Sequence, residues 1–398
     1  MAVYDLLSMS LANPRNMVIP AKSATAENKG VENLIRKMIK THKTPLMLIR
    51  KDVLKKQFQT FKKLMPRVDI FYAMKANPHP EIIKTFVKLG ANFDVASANE
   101  MKLALECGAS PRQIVFANTI KSSEDIQMAK RNRVNLMTFD NEAELYKIAK
   151  YHPGAKLLLR IKVANVGSIV ELSLKFGAIP EHSVHLLKKA KNLGLVPLGI
   201  AFHVGSQCTN VESYVNALEV TASIFQDAAQ KGINLSVVDI GGGFPIKYFE
   251  KESHIEFEYI ARTINKEIKR LFHKDVQFMA EPGRFMVGPA GILITQVVGR
   301  AFRDNKYYYY LNDGIYGDFS GIVFDQCKYE FKTLKRGQKY LSTLAGPTCD
   351  SFDTISVSEE LPELDVGNVV YVKVIGAYSS CSAVAGFNGF APAKILMV

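Results

Sequence analysis

The sequence predicts a (β/α)8 barrel followed by a mainly antiparallel β domain, and three observations carry that expectation. Eight short apolar runs recur along the chain, most of them ending on a polar residue. Stretches with helical spacing separate successive runs. After about residue 290 helical spacing becomes scarce and strand-like runs take over. Parallel strands joined by helices produce such an alternation, and eight units is the count of a closed barrel. A doubly wound open sheet is the rival arrangement.

Residues 1–30 carry no clear pattern and are expected to form an extension. Thr44–Arg50 is strand-like and is expected to join the β domain. The first barrel run is Asp69-Ile70-Phe71-Tyr72-Ala73-Met74-Lys75, followed at once by Ala76-Asn77-Pro78-His79-Pro80. Pro78 and Pro80 suit a turn and a helix start, Glu81–Leu89 has helical spacing, and Gly90 suits the stop. The later runs are Phe93–Ser97, Ile114–Asn118, Leu136–Asp140, Leu157–Lys162, Gly199–His203, Val237–Gly241 and Phe278–Glu281. Ala98–Cys107 and Glu142–Tyr151 are helical between them, and Val211–Gln230 is a longer helix. The first five runs repeat at about 21–23 residues and the last three at about 40. Ile292–Arg300, Lys306–Leu311, Val369–Ile375 and Ala393–Val398 read as strands of the β domain. The division is therefore 1–50 for extension and joining strand, 51–288 for the barrel, and 289–398 for the β domain.

Composition narrows the function classes. The 398 residues are 47% apolar, enough for one large core and a second domain. Cys107, Cys208, Cys327, Cys349 and Cys381 are odd in number and widely spaced, so neither a disulfide scaffold nor a structural zinc clip is expected, and a reducing cytoplasm fits best. No run approaches a membrane span, and the N-terminus lacks a continuous apolar segment. The net charge of +13 is spread over helical stretches such as Lys51–Lys56 and Lys188–Lys191. Solvated basic helix faces explain it, and nucleic-acid binding is not expected.

Polar groups gather where the runs end: Lys75, Asp94, Asn118, Asp140, Arg160, His203, Gly241-Gly242-Gly243 and Glu281. Barrel enzymes place their chemistry at that end. Lys75 is the most informative of them. A lysine in a dry pocket titrates low and can form Schiff bases; otherwise it is a rim lysine with a packed stem. In Asp239-Ile240-Gly241-Gly242-Gly243-Phe244-Pro245, successive glycines either expose backbone N–H groups to an anion or only make a tight turn. Glu281-Pro282-Gly283-Arg284 sets a carboxylate and a guanidinium at one strand end, as anion ligands or as a capping ion pair. His203-Val204-Gly205-Ser206 carries a histidine that is either a bonded core residue or part of that site. Gly346-Pro347-Thr348-Cys349-Asp350 is a loop with a thiol beside a carboxylate. A free cysteine is ordinarily a small buried hydrophobe, but a Gly-Pro loop exposes it. Asp313, Phe324-Asp325 and Tyr378 add polar loop residues. A lysine, an anion cradle, a carboxylate, a histidine and a thiol are most of what pyridoxal phosphate needs.

On these motifs, together with Tyr72-Ala73-Met74-Lys75-Ala76-Asn77 and Cys349-Asp350-Ser351-Phe352-Asp353, the chain resembles the pyridoxal-phosphate-dependent basic amino-acid decarboxylases of alanine-racemase fold. The likeness covers roughly residues 40–398. It implies that Lys75 holds the cofactor, that His203 stacks on its ring, and that Glu281 pairs with the ring nitrogen. Ser206, Gly242, Gly243, Pro282, Gly283, Arg284 and Tyr378 would surround the phosphate, with Asp94 and Arg160 near the lysine and ring. Asp325 and Asp350 would take the distal ammonium of the substrate, beside Phe324. Cys349 would return a proton to the α-carbon. The Cys349 loop would enter the partner's site in a homodimer, and Lys175 would pair with Asp353 across the interface. No metal is implied.

The implied activity is conversion of L-ornithine to putrescine in polyamine biosynthesis, with L-lysine as a second substrate. Lysine, arginine or meso-diaminopimelate as the main substrate are the alternatives, and an inactive partner-binding homologue is the non-enzyme reading. The chain departs from the eukaryotic ornithine enzymes in lacking their long C-terminal tail and in having Phe324 where tyrosine is usual. Gln207 and Gly288-Pro289-Ala290-Gly291 echo diaminopimelate decarboxylases, but Cys349-Asp350-Ser351-Phe352-Asp353 lacks their Cys-Glu-Ser-Gly-Asp segment.

Overall fold

The computed structural model describes residues 26–164, 167–168, 175–249, 255–384 and 386–398. Residues 1–25 of the expected extension lie outside the described residues. Ala26–Met38 forms a helix, α1, that the sequence reading did not anticipate; it begins within the stretch 1–30 where no pattern was expected. Its Val31 and Ile35 pack against Leu46, Leu48, Ile292, Ile294, Val369 and Tyr371.

Strand β1 (Leu46–Ile49) precedes the barrel. The barrel strands are β2 (Val68–Ala73), β3 (Asn92–Val95), β4 (Ile114–Phe116), β5 (Leu136–Phe139), β6 (Lys156–Arg160), β7 (Val196–Ala201), β8 (Val237–Asp239) and β9 (Gln277–Ala280). They pair in parallel and close, with Val68, Asp69 and Ile70 opposite Phe278, Met279 and Ala280. The open-sheet alternative is thereby excluded. Both faces of each strand are buried, so the strands read as continuous apolar runs. Phe71, Val115, Leu158, Ala201, Val237 and Met279 share one cluster inside the barrel. Their chain neighbours Tyr72, Phe116, Leu159, Ile200, Val238 and Phe278 belong to the outer layer under the helices, as the period of two requires.

Lys75, Asn118, Asp140, His203 and Glu281 lie just past the strand ends, whereas Asp94 is inside β3 and Arg160 closes β6. The chain turns there at once because helix caps follow. Ser97, Ser122 and Asn141 accept bonds from the N–H groups of Glu100, Asp125 and Glu144 at 3.2, 3.0 and 3.0 Å. They start α2 (Ala98–Glu106), α3 (Ser123–Arg131) and α4 (Glu142–Tyr151); each such cap stabilises by about 1 kcal/mol. Lys121 is a buried charge that the sequence reading missed. Its ammonium donates to the carbonyls of Asn118, Thr119 and Thr138 at 2.9, 3.3 and 2.6 Å and pairs with Glu144 at 3.1 Å. Burial pushes its pKa down to about 8.

In the β domain, β10 (Gly291–Arg303) is the spine. It pairs antiparallel with β1, with β11 (Lys306–Leu311) and with β15 (Val369–Lys373). Beyond β15 lies β12 (Lys332–Thr333), and beyond β11 lie β13 (Lys339–Ala345) and β14 (Thr354–Pro362). Only β11–β13 and the contact of β1 with β16 (Lys394–Met397) are parallel among the described pairs of this sheet. The strand-like Thr44–Arg50 thus does belong to the second sheet.

Candidate active site

β2 ends at Ala73, and Lys75 sits in the single 3-10 turn Met74–Ala76 rather than on the strand. The β domain clamps this turn. Tyr378 N–H donates to Ala76 O at 2.9 Å, and Asn77 Nδ2 donates to Gly376 O at 2.9 Å. The Tyr72 hydroxyl donates to Asn77 O at 2.9 Å from inside the core. Lys75 Nζ pairs with Asp94 Oδ2 at 3.2 Å; Asp94 is buried, while the Lys75 side chain is 44% exposed and opens on a cavity. The expectation of a low-titrating lysine is reversed in the free chain. The Asp94 carboxylate outweighs burial and holds the ammonium above the usual lysine range.

The cavity is also lined by His203, Ser206, Glu281, Arg284 and Tyr378, with Gln207, Gly243, Phe244 and Gly283 between them. Gly205 N–H donates to His203 Nδ1 at 3.0 Å. Burial, with the Arg160 and Lys75 charges nearby, holds the imidazole pKa well below its usual value. His203 is therefore neutral with its proton on Nε2. Glu281 behaves oppositely: burial, then the neighbouring Asp239 carboxylate, raise its pKa well above the usual carboxylate value. Asp239 Oδ1 accepts from Gly241 N–H at 2.9 Å, and burial raises that group too. Glu281 and Asp239 thus form a buried carboxyl pair on the cavity wall, both shifted toward the protonated form.

An anion fits opposite Lys75. Arg284 is 5% exposed, and its Nε is buried without a hydrogen-bond partner. Its Nη2 donates to Ser206 Oγ at 2.9 Å, and Tyr378 lies under the guanidinium at 4.8 Å. Gly243 has φ +97°, and a Cβ there would fall 2.3 Å from Gly205 O. A Cβ on Gly242 would press the His203 ring at 3.1 Å, and one on Gly283 would lie 2.9 Å from Ala76 Cβ. Pro282 O accepts from Ala73 N–H at 3.4 Å, tying the Arg284 turn to the end of β2. Aromatic packing fixes both halves of the cradle. Phe244 follows Gly243, Phe285 follows Arg284, and both contact Phe61 and Phe257 at ring separations of 4.4–5.9 Å. An orphaned guanidinium N–H, a hydroxyl and a glycine backbone suit a phosphate, and the lysine suits an aldehyde. The residues fit pyridoxal phosphate.

The remaining candidates do not line this cavity. Asp325 is ion-paired with Arg284 and accepts from Cys327 Sγ at 3.1 Å. Phe324 is 62% exposed. Arg160 is half-buried, its guanidinium 5.4 Å over the Phe176 ring. Cys349 is exposed, its N–H donating to Asn388 Oδ1 at 3.1 Å. Asp350 bonds to the Tyr316 hydroxyl, which holds it below the usual carboxylate range. Neither Cys349 nor Asp350 lines the cavity of its own chain. Asp353 is buried and accepts from Ile315 N–H at 2.8 Å and Thr348 N–H at 3.1 Å, so it clasps its own loop. Lys175 is exposed, 4.9 Å over the Phe176 ring. Asn118 and Asp140 hold loop backbone at Ala96 and Gly177 instead of facing the cavity. Tyr248 and Cys327, both touching Arg284, were missed. Neither sits in a motif with a spacing of its own.

Comparison with known proteins agrees with this geometry. The pyridoxal binding domain of the pyridoxal-dependent decarboxylases matches residues 51–288. A lysine/ornithine decarboxylase of Selenomonas ruminantium is 40% identical over 359 residues, covering 90% of this chain and 91% of that protein. Antizyme inhibitor 2 of Xenopus laevis is 39% identical over 357 residues, covering 85% and 77%. The structure of a Vibrio vulnificus lysine/ornithine decarboxylase complexed with putrescine superposes with a TM-score of 0.88 at 35% identity, covering 94% of this chain and 99% of that one.

Proposed function

Since the chain belongs to the pyridoxal-dependent decarboxylase family, we propose that it removes the α-carboxylate of L-ornithine to give putrescine in polyamine biosynthesis, and accepts L-lysine as a second substrate. The observation that carries this reading is the pairing of Lys75 with a cradle whose Arg284 Nε has no partner. Pyridoxal phosphate bound there supplies the electron sink that lets a carboxylate leave as carbon dioxide. Lys75 is the anchoring amine, and Asp94 keeps its proton beside it. Arg284, Ser206 and the backbone at Gly242, Gly243, Pro282 and Gly283 hold the phosphate, with Tyr378 beneath. Glu281 pairs with the ring nitrogen and keeps it protonated, and neutral His203 offers a face to stack on without adding a competing charge. Arg160 adds positive potential near the ring.

Asp325 and Asp350 supply carboxylates for a distal ammonium, which favours diamino acids. By the family resemblance, Cys349 gives its thiol proton to the α-carbon; it is exposed on a loop that does not reach the cavity of its own chain. That loop completes the site of a second subunit, so the active form is a homodimer, with Lys175 of one chain facing the Asp353 loop of the other. The division at residues 50 and 288 and a cytoplasmic location belong to the same reading. Among the described residues no helix is long and apolar enough to cross a membrane.

One methylene in a pocket discriminates by only about 1–3 kcal/mol, so ornithine and lysine are both turned over. Carbon dioxide release from ornithine, lysine, arginine and meso-diaminopimelate at equal concentration tests the reading. Ornithine and lysine should lead. A lead by either of the others corrects the substrate, and no release with cofactor bound favours the non-catalytic relative, despite Lys75 and Cys349.

A further inference from the structure

We propose that Asp325 is a built-in counter-anion: in the cofactor-free chain it occupies Arg284, and an incoming phosphate displaces it toward the substrate's distal ammonium. The inference rests on the reading of Asp325 as an ammonium acceptor and deepens it. Arg284 is nine-tenths or more buried, and Asp325 lies on its Nη2 beside Ser206 Oγ. Nη1 is held by the Tyr248 hydroxyl, which leaves Nε as the orphan. A phosphate drawn to that orphan arrives beside a carboxylate on the same guanidinium. Two anions so close cannot both stay charged without a penalty.

Once a phosphate takes its place on Arg284, the carboxylate is only weakly tethered. Its other bond comes from the weak donor Cys327 Sγ, at 3.1 Å. It stands just past the short helix Gly321–Phe324, next to the exposed Phe324. Arg284 keeps Ser206 and Tyr248 when the carboxylate goes. One residue thus links the anion site to the cation site, and linkage makes the effect reciprocal: an anion on Arg284 strengthens a cation at Asp325 by the factor that the cation strengthens the anion.

Full-length protein freed of cofactor tests this by calorimetric titration with inorganic phosphate, then with pyridoxal phosphate. Asp325→Asn should bind both about tenfold more tightly than wild type. Unchanged or weaker phosphate binding overturns the proposal. The KM for ornithine, measured on the loaded variant, is separate. If phosphate tightens and KM stays at the wild-type value, the masking stands and the ammonium-acceptor reading falls. If KM rises and phosphate affinity does not move, the reverse holds. If both move, 1,4-diaminobutane must tighten phosphate binding to wild type and leave Asp325→Asn unaffected; no effect on wild type overturns the coupling. Should the variant fail to fold, crystals of wild type with and without phosphate decide. A carboxylate on Arg284 only in the phosphate-free crystal supports displacement, and the same contact in both overturns it.

Discussion

Gly243→Ala is the sharpest probe of the anion cradle. The new Cβ would lie 2.3 Å from Gly205 O and 3.2 Å from both the Tyr214 hydroxyl and Val204 Cγ2, at a φ of +97°. Gly205 cannot retreat freely, because its N–H holds His203 Nδ1 at 3.0 Å. The alanine cannot retreat freely either, because residue 243 accepts from Cys208 N–H at 2.9 Å, and Tyr214 donates to Gly242 O at 3.0 Å. A side chain in that backbone region costs about 1–3 kcal/mol, and overpacking against backbone costs about 1–3 kcal/mol more. The combined penalty, about 2–6 kcal/mol, must appear somewhere. If the loop keeps its shape, the cofactor-free protein loses that stability in urea denaturation. If the loop moves, the cradle opens and pyridoxal phosphate affinity falls by about tenfold for each 1.4 kcal/mol. Both are measured on one preparation. A variant within about 0.5 kcal/mol of wild type in stability and in cofactor affinity would refute the role given to this glycine.

The other predictions concern the carboxyl pair, the Asp353 clasp, the buried lysine and the Cys349 loop. Burial raises the Asp239 carboxyl from 3.8 to about 7. Across that window the folded chain holds a proton that the unfolded chain has released, so stability falls as pH rises, by at most about 1.4 kcal/mol per pH unit. Urea midpoints of cofactor-free Asp239→Asn should therefore depend less on pH than those of wild type, and parallel profiles would count against the raised pair. Asp353→Ala strips a buried N–H at Ile315 and a half-buried one at Thr348 of their acceptor and should lower stability by about 2–4 kcal/mol in the same assay. Lys121→Met leaves Glu144 with Lys147 at 2.7 Å and the residue 121 backbone N–H at 3.1 Å, and should cost about 3 kcal/mol; a neutral result would mean the buried pair is dispensable. Cys349→Ala should still release carbon dioxide but divert part of its turnovers to an aldehyde, seen by product chromatography. Mixing it with Lys75→Ala should restore part of the activity, whereas inactive mixed dimers would argue against a shared site.

The barrel was legible because its strands are buried on both faces. Ile70–Ala73 and Leu157–Leu159 stay apolar throughout, and Ser97, Ser122 and Asn141 announce the next helix. The second sheet was harder. Lys339–Ala345 and Thr354–Pro362 are exposed over much of their length, and Lys339, Ser342, Glu359 and Glu360 interrupt the apolar pattern. Helix α1 escaped although Val31, Leu34, Ile35 and Met38 follow helical spacing, because Lys29, Gly30, Glu32 and Asn33 surround them and its sheet lies far along the chain. The cradle residues were readable from Gly-rich and Pro-Gly turns. The state of Lys75 was not, since its pKa depends on Asp94, a partner one strand away. Nor was the Arg284–Asp325 contact, which joins a barrel loop to a loop of the β domain.

The central claim is that Lys75 carries pyridoxal phosphate. Borohydride reduction of the cofactor-loaded protein, followed by peptide mass mapping, tests it most directly. The account predicts a single pyridoxyl group, on the peptide containing Lys75. A label on another lysine, or none on a protein that releases carbon dioxide, would contradict it.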